Sequence, residues 1–262
     1  CGEWPCEKKM HKNIRTRAFN SAAKTEGLGK LAEYLHKNLD RGVFYHKPGA
    51  LTGDYDHYTT EQEVIKLLKS GRPDPYEKCP EFETARFIFR QVREEDAEEL
   101  LRAFYGDLTG WMFYGNDMCK SIFAGRYATS EEMGRCIRSW LAAYKNRYYI
   151  RLTVIDKQTE KAIGTIEIFD HIHSEKNWKS DVVRQSFVLH IDFAVPYETQ
   201  KYLSELLTLA DQKFFRLFGF EYLLIRAVPA ATERIAALTA TGYEPFFWEP
   251  GREHYYMKRR PL

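Results

Sequence analysis

No apolar run in the 262 residues approaches the ~20 that a helix needs to cross a bilayer. A strong charge of one sign is missing too. The 39 basic and 37 acidic residues leave a formal net charge of +2, which argues against a general nucleic-acid footprint, though not against a local basic face. Cysteine is scarce and irregular: Cys1, Cys6, Cys79, Cys119 and Cys136 are odd in number and scattered. They form no CxxC pair, which disfavours a zinc ribbon, and they read as reduced cytoplasmic thiols rather than a disulfide framework. The start at Cys1 rather than Met suggests a segment removed upstream, with a lipid-anchored terminus as the lesser reading.

What is present is enough for a core. Hydrophobic residues make up 44% of the chain and aromatics 15%, so a packed globule is expected, either one large domain or a domain with a substantial extension. Residues 1–80 read as a helical extension or small subdomain. Leu28, Leu31, Ala32, Leu35 and Leu39 recur at helical spacing, and Gly42 can end that helix. Residues 43–58, rich in Gly, Pro, Asp and aromatics, suggest an ordered loop. Thr60 with Glu63 makes a capping box ahead of Val64, Ile65, Leu67 and Leu68, and Gly71 ends that helix. The basic cluster Lys8, Lys9, Lys12, Arg15 and Arg17 could touch nucleic acid, but such clusters are usually solvated surface. Three prolines within residues 71–80 mark the connection to a main domain over 81–262.

The main domain alternates element types. Phe87 and Phe89 mark a strand, and residues 94–104 an acidic-started helix. Thr129 and Glu132 cap a helix striped by Met133, Cys136, Ile137, Trp140, Leu141 and Tyr144. Residues 148–156 and 161–170 read as a hairpin turning at 157–160. The organising stretch is 187–220. Phe187, Leu189, Ile191, Phe193 and Val195 alternate with Val188, His190, Asp192 and Ala194, as in a strand that Pro196 should end. Leu203, Leu206, Leu207, Ala210, Phe214, Leu217 and Phe218 then give a helix stopping at Gly219, and a strand over 222–228 completes a βαβ unit. The loop after the first strand of such a unit often takes anionic ligands.

In this order the pieces resemble the GNAT superfamily of acyl-CoA-dependent N-acetyltransferases. The resemblance rests on 87–100 as opening strand and helix, on Ala162-Ile163-Gly164-Thr165-Ile166-Glu167-Ile168 as the strand with "iG.i.l", and on Thr241-Gly242-Tyr243 near the closing turn. It implies an α/β (α+β) fold with a mixed, mostly antiparallel sheet flanked by helices. It also implies acetyl-CoA as co-substrate and a small-molecule or peptide amine as acceptor, with no membrane or nucleic-acid partner; a homodimer stays open. Polarising the acyl carbonyl and moving the amine proton are the chemical demands. Candidates for the proton are Glu167, Asp192 and, two residues before it on the same face, His190; the plainer reading is that all three line a solvated sheet face. His171 and His173 could hold a metal, but no further ligands are in sight, so no metal is expected. Trp111, Phe113, Tyr114 and Phe123 lie where the family builds its acceptor wall, or are core.

The resemblance places the pantetheine arm of the donor along Phe193, Ala194 and Val195. It places the phosphates at Thr199, Gln200, Lys201, Tyr202, Leu203 and Ser204. There the family uses glycines so that backbone N–H groups can reach the pyrophosphate. This chain has no glycine between Tyr197 and Ser204, while Glu198 adds charge and Tyr202 bulk. The family's acid tyrosine aligns with Leu238, and its helix-opening asparagine falls near Ala231. Two functions follow: a working acyltransferase with a divergent loop, or a GNAT-fold binding or regulatory protein that no longer uses acetyl-CoA.

Overall fold

The computed structural model describes residues 13–40, 42–47, 51–106, 127–170, 181–248 and 253–260. They form two compact units that divide between Asp74 and Pro75. The aromatic candidates Trp111, Phe113, Tyr114 and Phe123 and the pair His171 and His173 lie outside the described residues.

In the first unit, α1 (Ile14–Glu26) starts at Asn13, whose side chain accepts from Thr16 N, and buries Ala18, Phe19 and Ala22. The amphipathic α2 (Leu28–Asp40) follows. Then α3 (Glu61–Ser70) opens on the Thr60–Glu63 capping box and stops at Gly71, with φ 72°. Val64, Leu67 and Leu68 pack with Phe19 and Tyr55. The loop before α3 is ordered: the Asp54 carboxylate accepts from Phe44 N at 2.8 Å and Asp56 from Gly53 N at 2.7 Å. Two members of the basic cluster are used internally. Arg15 pairs with Asp56 and Arg17 with Glu61, each at 2.6 Å.

The second unit is built on one sheet. Its strands are β1 (Phe82–Glu83), β2 (Phe87–Gln91), β3 (Tyr149–Asp156), β4 (Lys161–Asp170), β5 (Ser186–Phe193), β6 (Tyr222–Arg226), β7 (Glu244–Phe246) and β8 (Tyr255–Arg259). Among the described residues their order is β1-β2-β3-β4-β5-β6-β8-β7, antiparallel throughout except for β5 beside β6. One face carries Phe87, Phe89, Leu152, Ile166, Leu189, Ile191 and Phe193. It packs beneath Leu203, Leu206 and Leu207 of α6 (Gln200–Leu209) and Ala237 and Leu238 of α7 (Thr232–Ala240). The number α4 is given to Ala97–Leu100, continued by a π-helical turn Leu101–Tyr105, and α5 to Ser130–Lys145. Leu100, Phe104, Met133, Ile137 and Trp140 of these helices form a second cluster.

The expected boundaries hold with three local differences. First, β5 ends at Phe193, short of Val195: Ala194 N turns to Ile163 O, Val195–Tyr197 makes a 3-10 turn, and Val195 is exposed. Pro196 inside that turn has no N–H to continue a ladder. Second, α6 passes through a π-helical turn, Ala210–Phe214, before Phe215–Phe218 reach a left-handed Gly219. Third, Thr129 caps α5 as expected by accepting from Glu132 N, but the Glu132 carboxylate reaches back to Ala128 N instead of Thr129 N. No helix among the described residues is long and apolar enough to cross a membrane.

Two features of the sheet position a site. The parallel pairing joins only Ser186–Val188 to Tyr222–Leu224, while β5 stays paired with β4 through Phe193. From Leu189 onward β5 and β6 are therefore open to each other. The second feature is Gly164 on β4, at φ +149°, where an added Cβ would sit 1.8 Å from Asp192 O. Only glycine lets the two strands approach so closely at that point.

Candidate functional site

Alternation along β3, β4 and β5 puts Arg151, Thr165, Glu167, His190 and Asp192 on the sheet face opposite Leu189 and Ile191. The register sets Arg151 beside Glu167, Glu167 beside His190, and Thr165 beside Asp192. Tyr105, at the end of the π-helical turn, completes the cluster. Its hydroxyl donates to Asp192 Oδ2 at 2.6 Å and lies 2.7 Å from Thr165 Oγ1. The Arg151 guanidinium bonds Glu167 through Nη2, and its Nη1 lies 3.1 Å from Asp192 Oδ2 and 2.9 Å from the Tyr105 hydroxyl. It also stacks 4.1 Å from the centroid of Trp140, a favourable cation–π placement. His190 Nε2 is 2.7 Å from Asp192 Oδ1.

The three catalytic candidates, Glu167, Asp192 and His190, are thus brought together. Arg151, Tyr105 and Trp140 were not singled out in the sequence. The face is not a solvated one: the Arg151, Glu167 and Asp192 side chains are 11%, 12% and 8% exposed, against 23% for His190. His190 is the member that solvent or a substrate reaches most readily.

Burial on its own would raise the Asp192 carboxyl. The His190 charge and hydrogen bond, Arg151 and the Tyr105 hydroxyl together hold it well below the usual carboxylate range. For His190, burial disfavours the imidazolium, but the neighbouring Asp192 and Glu167 outweigh it and the pKa is raised. Burial and the Asp192 charge push the Tyr105 hydroxyl far up, so it stays a neutral donor. Chemically, then, Asp192 is a fixed anion that orients an imidazole, and the other ring nitrogen, Nδ1, is left for chemistry.

At the far end of β5, the expected donor residues divide between several surroundings. The Phe193 ring packs on Phe87 in the core, where Leu203 is fully buried. Tyr202 stacks against Phe87 and Tyr197. Lys201 and Ser204 line a groove of about 440 Å³ together with Glu83 and Glu205. The N–H groups at the start of α6 are engaged. Thr199 Oγ1 accepts from Tyr202 N, Thr199 N bonds Tyr197 O, Glu198 N bonds Val195 O, and Gln200 N donates at 2.8 Å to the Glu233 carboxylate of α7.

Glu198 turns inward. Arg234 of α7, itself 3% exposed, bonds both its carboxylate oxygens, with Nε at 2.6 Å and Nη2 at 3.0 Å. The same Nη2 donates at 2.9 Å to Ile191 O, in the opening between β5 and β6. A pyrophosphate placed here would meet two carboxylates and a row of N–H groups already in use. The groups of this loop do not fit a diphosphate in this arrangement.

A family model described as an acetyltransferase (GNAT) domain matches residues 86–244. Among solved structures, a GNAT-family acetyltransferase from Bacillus anthracis aligns with a TM-score of 0.51 at 14% identity, covering 69% of this chain and 99% of its own. The ribosomal-protein-S5-alanine acetyltransferase from Vibrio fischeri gives 0.51 at 14%, covering 69% and 97%. An acetyltransferase from Agrobacterium tumefaciens gives 0.50 at 16%, covering 73% and 100%. At such identities these likenesses concern the fold. No curated protein matches the chain.

Proposed function

The chain belongs to the GNAT acetyltransferase family, and on that premise we propose that it is an acyl-CoA-dependent N-acyltransferase that moves an acetyl group to an amine. The observation that carries this reading is the His190–Asp192 pair beside the opening between β5 and β6. Asp192 orients the ring through Nε2, and Nδ1 takes the proton that the amine sheds as the new C–N bond forms. The same nitrogen can return that proton to the departing thiolate as the C–S bond breaks, so no covalent enzyme intermediate is needed. Glu167 and Asp192 are tied to Arg151 and hold charge rather than move protons.

With His190 neutral, the charges of Arg151, Glu167 and Asp192 sum to one negative charge, which suits an acceptor that arrives as an ammonium ion. A small amine and a peptide amine both meet that requirement. Thiol release from acetyl-CoA in the presence of a panel of amines tests the reading. Amine-dependent release that is lost in His190→Gln supports it, and release that survives the substitution unchanged removes His190 from the role.

A second reading is favoured by one specific observation. Arg234 lies on the Ile191 carbonyl inside the opening itself, held there by Glu198. On this reading the GNAT fold serves as a binding or regulatory module that no longer uses acetyl-CoA. The two readings separate in a thermal-shift titration. A saturating ligand at a hundredfold over its Kd adds ~2.7 kcal/mol of stability, whereas a module without the co-substrate shows no shift at millimolar acetyl-CoA.

A further inference from the structure

We propose that Glu198 and Glu233 make the start of α6 an anion site that the protein itself has filled, so that this chain gains little from the diphosphate of a CoA donor. The place of the diphosphate rests on the family reading above. Three observations meet at this point. The Glu233 carboxylate, from an exposed position on α7, accepts the Gln200 N–H at the positive end of α6. The Glu198 carboxylate takes the one buried guanidinium among the described residues of the loop and α7, with both oxygens engaged. The remaining N–H groups at Tyr197, Glu198, Thr199 and Tyr202 close on Ala194 O, Val195 O, Tyr197 O and the Thr199 hydroxyl.

Each feature that makes a helix start attractive to phosphate is thus present and already satisfied: N–H groups, a dipole end and an arginine. A phosphate entering there must displace a carboxylate or stand beside one. Glu198 and Glu233 are in this sense specificity-determining. They disfavour recognition of the nucleotide end of a donor and leave the pantetheine thioester as the part that binding must grip.

Isothermal titration of the full chain with CoA and with pantetheine tests the proposal. For the wild type, CoA is expected to bind no more than about threefold tighter than pantetheine, because unfavourable charge offsets the added contacts. Glu233→Ala, at an exposed position, uncovers an N–H and removes a charge. It should tighten CoA binding about tenfold or more and leave pantetheine unchanged. Glu198→Gln keeps a hydrogen-bonding side chain on Arg234 and should act in the same direction. A wild-type preference for CoA of about tenfold or more would overturn the proposal. So would a Glu233→Ala variant that gains nothing, or that gains equally for pantetheine. Thiol release by the wild type from acetyl-CoA or acetyl-pantetheine in the presence of amines tests the family reading separately.

Discussion

Two arginines anchor the two ends of β5, and they do opposite things. At the polar cluster, Arg151 neutralises Glu167 and Asp192 and stacks on Trp140, yet leaves the His190 ring partly open. At the loop, Arg234 engages both oxygens of Glu198 and a strand carbonyl, and the neighbouring N–H goes to Glu233. Both arrangements satisfy buried charge. Only the first leaves a reactive group in reach, so the acceptor end of this fold is poised while the donor end is shut.

The comparison is broken most severely by removing Arg151. Arg151→Met leaves two buried carboxylates without their counter-ion, and the loss should be about 3–5 kcal/mol, read as the change in unfolding free energy in urea. A loss below about 1 kcal/mol would mean that the cluster is not held together by that charge. His190→Gln should cost about a hundredfold or more in turnover, the usual scale for a lost general base, with only a small change in melting temperature. Such a split would confirm that His190 is the open member of its cluster.

At the loop, Thr199→Ala removes the side-chain cap of α6 and should cost about 1 kcal/mol. It also frees Tyr202 N, so CoA binding should improve slightly rather than weaken. The smallest effect is a pH dependence. The folded pKa of His190 is raised above its ordinary 6.5. Its contribution to stability is therefore fully present below about 6.5 and fades as pH rises through the raised value. Asp192, depressed below its ordinary 3.8, contributes above that value and loses its effect only in strong acid. Turnover should rise over the interval in which the His190 contribution fades. Chemical denaturation on both sides of that interval checks the first statement, and His190→Gln should flatten it.

Much of the scaffold was legible in the chain. Alternation at 187–193, the Thr60–Glu63 box and Gly219 each follow from a local rule, and each element formed where that rule put it. Arg151 was not legible, for a reason the register makes plain. Asp156 pairs with Lys161 and Ile155 with Ala162, so counting back from the turn would set Arg151 opposite Ile166. The bulge between Val154 and Ile155 shifts the ladder by one, and Arg151 meets Glu167. A one-residue irregularity therefore decides whether the arginine reaches the cluster. Arg234 was hidden differently: it meets Glu198 from 36 residues away and through a separate helix, a contact with no local signature. Residues 14–26 drew attention for their basic charge, yet Ala18, Phe19 and Ala22 make them a core helix.

The most direct test of the proposed activity is amine-dependent thiol release from acetyl-CoA, followed from below to above the ordinary histidine range for the wild type and for Glu233→Ala. Release that rises with pH, disappears in His190→Gln and becomes faster at low acetyl-CoA in Glu233→Ala is the expected result. No release with any amine at millimolar acetyl-CoA, in a Glu233→Ala variant that demonstrably binds CoA, would contradict the transferase reading and leave a GNAT fold used for binding alone.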